Sequence, residues 1–357
     1  MLKDIASMSE IDESLESELP YVSGDLRGVG GVLRAKPEHF LVEEIPLYEP
    51  TGRGQHLYVN LTKMNMTTRE VQKTLASAFE LHHSKIGFAG LKDKHAMAIQ
   101  TFSVPVEDKA QSSIEKSMRL LLADSNLKIN WTRLHTNKMR SGHLLGNRFA
   151  IIITDLEVPP DEALHRSNII TARLMDQGIP NYYGPQRLSG GNVEKGLEII
   201  KGRTIGDRWL QRLLVSSFQS ELCNRYLAKR MEIGLFDRII RGDIAKKYST
   251  GGMFEVEDER AEQQRYRAHE ISFTAPIYGS KMWVAKGLVG ELEDRILAES
   301  GVTIEQLGRM GLKGTRRLGR LLIGDLQIDV VDKGLRLSFS LPKGAFATTV
   351  LREFMKV

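Results

Sequence analysis

Between residues 34 and 105 the spacing of apolar residues changes twice, and this restricts the fold more than any other feature of the chain. Over residues 56–63 the spacing is two, with Leu57, Val59 and Leu61 on one side, as in a half-buried strand. A helix follows, because Thr67 and Glu70 form a capping box and Val71, Leu75, Ala78 and Phe79 share one helical face. Residues 40–48, 86–88, 99–104 and 147–153 read as further extended segments. Strands and helices therefore mix from the start. The fold class is α/β or α+β, a mixed β-sheet with flanking helices.

Helical periodicity returns over residues 161–177 and stops at Gly178, after which residues 179–184 are irregular. A domain junction is placed there. A long helix over residues 207–231, with Leu210, Leu214, Phe218, Leu222 and Tyr226 at helical intervals, leads the next unit. Near the end, residues 322–341 alternate around Asp332, Lys333 and Gly334 as a hairpin, and residues 345–355 form a last amphipathic helix. At 357 residues two domains are expected. One domain interrupts the other.

The formal charge is +5, but the first twenty residues hold one lysine against six carboxylates and carry −5, so the remainder carries +10. A basic body favours partners that bear phosphate. Cys223 stands alone, which leaves no disulfide framework, CxxC pair or thiolate metal cluster. The acidic leader is the reverse of a secretory signal, and no apolar run reaches the roughly 18 residues of a membrane span. A soluble cytoplasmic protein is expected. No phosphate-cradling glycine motif occurs, and the adjacent His82 and His83 lack an HExxH partner, so nucleotide, dinucleotide and metal sites have no signature. Nothing in the residues specifies an oligomeric state.

Three stretches concentrate chemistry. In residues 88–95, Asp93 stands between Lys92 and Lys94 with His95 beside them, a setting that holds a carboxylate ionised; the same residue types also suit a solvated turn. Residues 128–149 interleave Trp131, Arg133, His135, Lys138, Arg140, His143 and Arg148, groups that grip phosphates and stack bases or form a solvated basic face. Lys313, Arg316, Arg317 and Arg320 make a third basic knot, which alone reads more readily as a surface patch.

The runs PEHFLVEE (residues 37–44), GLKDKHA (90–96), GNRF (146–149), IPNYYGPQR (179–187) and LPKGAFATTVLREF (341–354) occur in that order. Together they resemble the tRNA pseudouridine synthase D family over residues 28–354. The resemblance implies a discontinuous catalytic domain, residues 1–180 with 320–357 and the acidic leader at 1–20, around an insertion domain at 181–319. It implies that Asp93 is the nucleophile and that Arg34 pairs with it. By the same likeness Phe40, Asn147 and Phe346 contact the target nucleotide and Phe149 stacks on a flipped base. Lys92, Lys94 and Arg148, neighbours of these motif residues, are expected to touch the substrate. The family often has threonine two residues before Gln100, where this chain has Ala98, so a hydroxyl contact is not expected there.

The implied reaction cuts the C1′–N1 bond of a uridine, turns the uracil and joins its C5 to C1′. No electrons or energy-rich groups are exchanged, so no cofactor is required, and the partner is tRNA, with other structured RNA possible. The rival reading is a non-catalytic RNA-binding protein or tRNA chaperone on the same fold.

Overall fold

A computed structural model describes residues 19–106, 109–122, 125–188 and 190–356. Residues 1–18 of the acidic leader lie outside the described residues. The strands run in chain order β1 (Phe40–Pro46), β2 (His56–Met64), β3 (Gly87–Phe88), β4 (Met97–Pro105), β5 (Leu127–His135), β6 (Leu144–Thr154), β7 (Ile179–Pro180), β8 (Ile244–Lys247), β9 (Met253–Glu255), β10 (Ile271–Ile277), β11 (Thr315–Leu318), β12 (Arg320–Leu321), β13 (Gln327–Val331) and β14 (Gly334–Pro342).

Among the described residues the chain divides into two compact units: residues 28–169 with 323–344, and residues 19–27 with 170–322 and 345–356. The division expected from sequence put its boundaries at 180/181 and 319/320 and the terminal helix in the catalytic body. β7 pairs with β12, Ile179 opposite Leu321, so the two ends of the interrupting segment close on each other within one unit.

The first unit is built on a mixed sheet of order β13-β14-β6-β1-β4-β2-β5, with β3 beside β4. Its neighbours are antiparallel except β1 and β4. A single row of register partners crosses five strands: Phe339, Phe149, Val42, Ala98 and Lys63. Register partners share a face, so these side chains line one side of the sheet. The helix Thr68–Ala78 covers that side near β2, and both bonds of its Thr67/Glu70 capping box are formed. It buries Val71, Leu75 and Phe79 against Leu57, Val59, Leu61 and Phe102. Each such side chain contributes about 1.5–3 kcal/mol by leaving water.

In the second unit the helix Arg208–Glu232 is capped by Asp207, whose side chain accepts from the amides of Trp209 and Leu210. It buries Leu214, Phe218, Leu222 and Tyr226. A sheet of order β11-β10-β8-β9 belongs to the same unit. Two ion pairs are buried there, Arg230 with Asp243 and Arg316 with Glu293. Among the described residues no helix is long and apolar enough to cross a membrane.

Candidate active site

The loop between β3 and β4 carries Asp93 and is fixed by a buried polar network. Gln100, buried on β4, donates to the carbonyl of Gly90 at 2.6 Å. The amide of Lys92 donates to Thr68 Oγ1 at 2.8 Å, and that hydroxyl donates to Gln100 Oε1 at 3.1 Å. Glu44 of β1 accepts from Lys92 Nζ at 2.6 Å, from Gln100 Nε2 at 3.1 Å and from the amide of Thr101 at 3.2 Å. Lys63 Nζ donates to the carbonyl of Asp93 at 2.6 Å. Buried polar groups satisfied in this way hold one arrangement, since each unmade bond leaves a costly orphan.

The carboxylate of Asp93 is free of that network. Its Oδ2 accepts from Arg34 Nη2 at 2.9 Å, and the side chains stay 39% and 20% exposed. Arg34 also lies over the ring of Phe40, 4.4 Å from its centroid, a cation–π contact that orients the guanidinium. The Arg34 backbone has φ +59°, a left-handed conformation rare outside glycine. Buried Phe40 meets Phe149 edge-on at 6.3 Å, and Phe149 stacks on Phe339 at 5.4 Å. Asn147, two residues before Phe149 and so on the same face, has a buried Oδ1 with no hydrogen-bond partner. A carboxylate paired with a guanidinium, aromatic rings and an amide acceptor therefore gather on one side of one sheet. Such a set can hold a planar heterocycle and attack it or its sugar.

A family model described as tRNA pseudouridine synthase D (TruD) matches residues 17–204 and 193–354. The chain belongs to the tRNA pseudouridine synthase D family. The tRNA pseudouridine synthase D of Thermus thermophilus is 44% identical over 344 residues, which are 95% of this chain and 92% of the relative. That of Anaeromyxobacter dehalogenans is 38% identical over 351 residues, covering 95% and 97%. A crystal structure of the putative tRNA pseudouridine synthase D from Methanosarcina mazei matches with a TM-score of 0.75 at 26% identity, covering 96% of this chain and 97% of that one. The mixed sheet with flanking helices is the fold of this family.

Of the residues singled out from the tRNA pseudouridine synthase D motifs, Asp93, Arg34, Phe40, Asn147 and Phe149 lie on the first unit and share this face. Phe346 belongs to the second unit, where it precedes the helix Ala347–Met355 and packs on Tyr183 at 5.8 Å. Lys94 is half exposed with Glu70 Oε1 at 3.8 Å. Lys92, expected at the substrate, turns inward instead, because Glu44 supplies a buried carboxylate 2.6 Å from its ammonium. Arg148, between Asn147 and Phe149, projects from the opposite face, where it pairs with Glu43 at 3.1 Å.

The third basic knot is a correction as well. Arg316 and Arg320 are buried, one paired with Glu293 and the other lying over the ring of Tyr266, so neither is a surface group. Sequence reasoning passed over Lys63, Glu44, Thr68 and Gln100, which fix the loop. Glu44 closes the run PEHFLVEE and Gln100 follows GLKDKHA, but neither was given a role there; Lys63 had a signal of its own, since it continues the core-facing series of Leu57, Val59 and Leu61 with a charge.

Proposed function

We propose that the chain converts a uridine of tRNA to pseudouridine, that the target is the uridine at position thirteen in the D-stem, and that Asp93 is the nucleophile. The observation that carries the reading is the Asp93–Arg34 pair: one carboxylate oxygen bound by a guanidinium, on a side chain still open to a substrate. The names of the curated relatives and the family match support the activity and the tRNA substrate. The choice of uridine follows the family resemblance.

A stacked or paired uridine hides its C1′ and ring edge, so the base must be extruded before reaction. By the family resemblance Phe149, buried against Phe339 with 7% of its surface exposed, is the aromatic on which the extruded base stacks. The unpartnered Asn147 Oδ1 accepts from uracil N3–H, while the same amide donates to a ring carbonyl. Cytosine carries an acceptor at N3 and meets that oxygen unfavourably.

The C1′–N1 bond breaks, the uracil turns, and a C5–C1′ bond forms; C5 loses a proton and N1 gains one, so product and substrate are isomers. Asp93 serves by attack at C1′, by addition at C6, or by assisting loss of the C2′ proton on a glycal route. Each requires the carboxylate ionised. Arg34 supplies the opposing charge at 2.9 Å. The first unit, which holds Asp93, Arg34, Phe40, Asn147 and Phe149, carries this chemistry.

Exposed Arg133 and Arg140, with Trp131 under the Arg133 guanidinium at 5.9 Å, suit phosphate and base contacts. The test is chemical mapping of pseudouridine in total tRNA lacking the modification, incubated with the purified chain. New pseudouridine at position thirteen of the D-stem is expected. Conversion at another tRNA uridine would correct the target, and tRNA binding without conversion would favour the non-catalytic RNA-binding protein or chaperone.

A further inference from the structure

β2 presents Leu57, Val59 and Leu61 to the core and then, at the next core-facing position, a lysine. Lys63 is fully buried and its register partner on β4 is Ala98, a side chain too small to offer any polar contact. Its ammonium donates to two main-chain carbonyls, Asp93 at 2.6 Å and Met66 at 2.5 Å. The nearby carboxylates are engaged with other cations: Asp93 with Arg34, Glu70 with Lys94 and Glu44 with Lys92. A methionine would fill the same volume without taking a charge out of water. What the lysine adds is a hold on the backbone of the proposed nucleophile.

We infer that Lys63 is a positioning residue for the reaction, its buried ammonium holding the main-chain carbonyl of Asp93 and so setting the direction in which that carboxylate points. The inference rests on Asp93 being the nucleophile. A residue's Cα–Cβ bond is oriented by the peptide planes around it. The plane after Asp93 is held by Lys63, and the plane before Lys92 by Thr68 Oγ1. Through Met66 the same ammonium ties the loop to the turn that leads into the helix Thr68–Ala78. Loop, strand and helix thus meet at one nitrogen.

The hold is sensitive to pH. Desolvation draws Lys63 down to about 8, and Lys92 acts in the same direction; the charges of Asp93 and Glu70 oppose the shift. The charged groups facing it are thus Asp93 and Lys92 from the loop and Glu70 from the helix, with Arg34 and Lys94 behind them as partners. Deprotonation leaves an amine whose bonds to the carbonyls lose their charge assistance. Between about 8 and the ordinary 10.5 the folded chain binds fewer protons at this site than the unfolded chain. The contribution of Lys63 to stability therefore rises with pH across that window while turnover falls.

The test is kcat and KM of the full chain on tRNA from about pH 6 to about pH 10, a span that brackets the titration. Expected for the wild type is a fall in kcat centred near 8 with KM unchanged. Lys63→Met is expected to lose on the order of 10- to 100-fold in kcat at neutral pH, with little change in KM and without that fall. Lys63→Arg, whose charge does not titrate there, recovers part of the loss and also lacks the fall. A wild-type profile flat through 8, or Lys63→Met with wild-type kcat, or either variant keeping the fall, would overturn the proposal. Should Lys63→Met fail to fold by circular dichroism, the wild-type profile and Lys63→Arg decide it. Asp93→Asn is assayed alongside: turnover there defeats the nucleophile reading, whereas an inactive Asp93→Asn beside a fully active Lys63→Met defeats the positioning role alone.

Discussion

Arg34 spends backbone energy to reach Asp93. A left-handed φ of +59° costs an L residue on the order of 1 kcal/mol or more, and such strain concentrates where a side chain must be aimed. The ion pair it makes is partly exposed, and pairs of that kind contribute only about 0–1 kcal/mol to folding. Arg34→Ala is therefore expected to leave the melting temperature nearly unchanged while lowering kcat on the order of 100-fold, as loss of one charge-stabilising donor does elsewhere. Parallel thermal melts and initial rates check it, and a loss of activity that tracks a loss of fold would contradict it. The pair is separated by 59 residues, so no local spacing connects it; only the motif run PEHFLVEE beside GLKDKHA pointed there. Lys92 is the converse case. Two lysines flank Asp93 in sequence, and which one is desolvated depends on Glu44, supplied by a strand that neighbours only in the folded sheet.

The elements were more legible than their neighbours. The capping box at Thr67 and the alternation of β2 are local patterns, and both are present with the boundaries they imply to within a residue or two. The strand order is not local: β1 lies between β4 and β6, and that placement puts Phe40, Val42 and Phe149 together. The hairpin read around Asp332, Lys333 and Gly334 is found, with β13 and β14 closing at Val331 and Gly334. Gly334 is needed there for space, because a Cβ would fall 1.8 Å from the carbonyl oxygen of Ile153 on β6. Gly334→Ala is expected to destabilise the fold by about 1–3 kcal/mol through that clash. It should also lower activity, since β14 carries Phe339 against Phe149. Urea unfolding checks the first effect, and an unchanged midpoint would contradict it.

For the whole molecule, net charge overstates the surface available to RNA. Arg230, Arg316 and Arg320 are inside, and composition cannot separate a buried arginine from one facing solvent. The two classes should behave differently. Arg316→Met leaves Glu293 buried without its cation and is expected to cost about 3–5 kcal/mol of stability, with no change in the salt slope of tRNA binding for the protein that remains folded. Arg133→Gln and Arg140→Gln should leave stability within about 0.5 kcal/mol. Each should also reduce the slope of log K against log salt by about 1. Affinities measured across a salt series separate the cases; a slope altered by Arg316→Met but not by the surface pair would reverse the assignment.

The central claim is that the carboxylate of Asp93 performs the isomerisation. A single-turnover assay of purified Asp93→Asn on tRNA, read as the fraction of target uridine converted and paired with a binding titration, tests it most directly. The amide keeps the shape and can still meet Arg34 but is not a nucleophile, so tRNA affinity should stay within about tenfold of the wild type while conversion is undetectable. Conversion by Asp93→Asn at the wild-type rate would contradict the account.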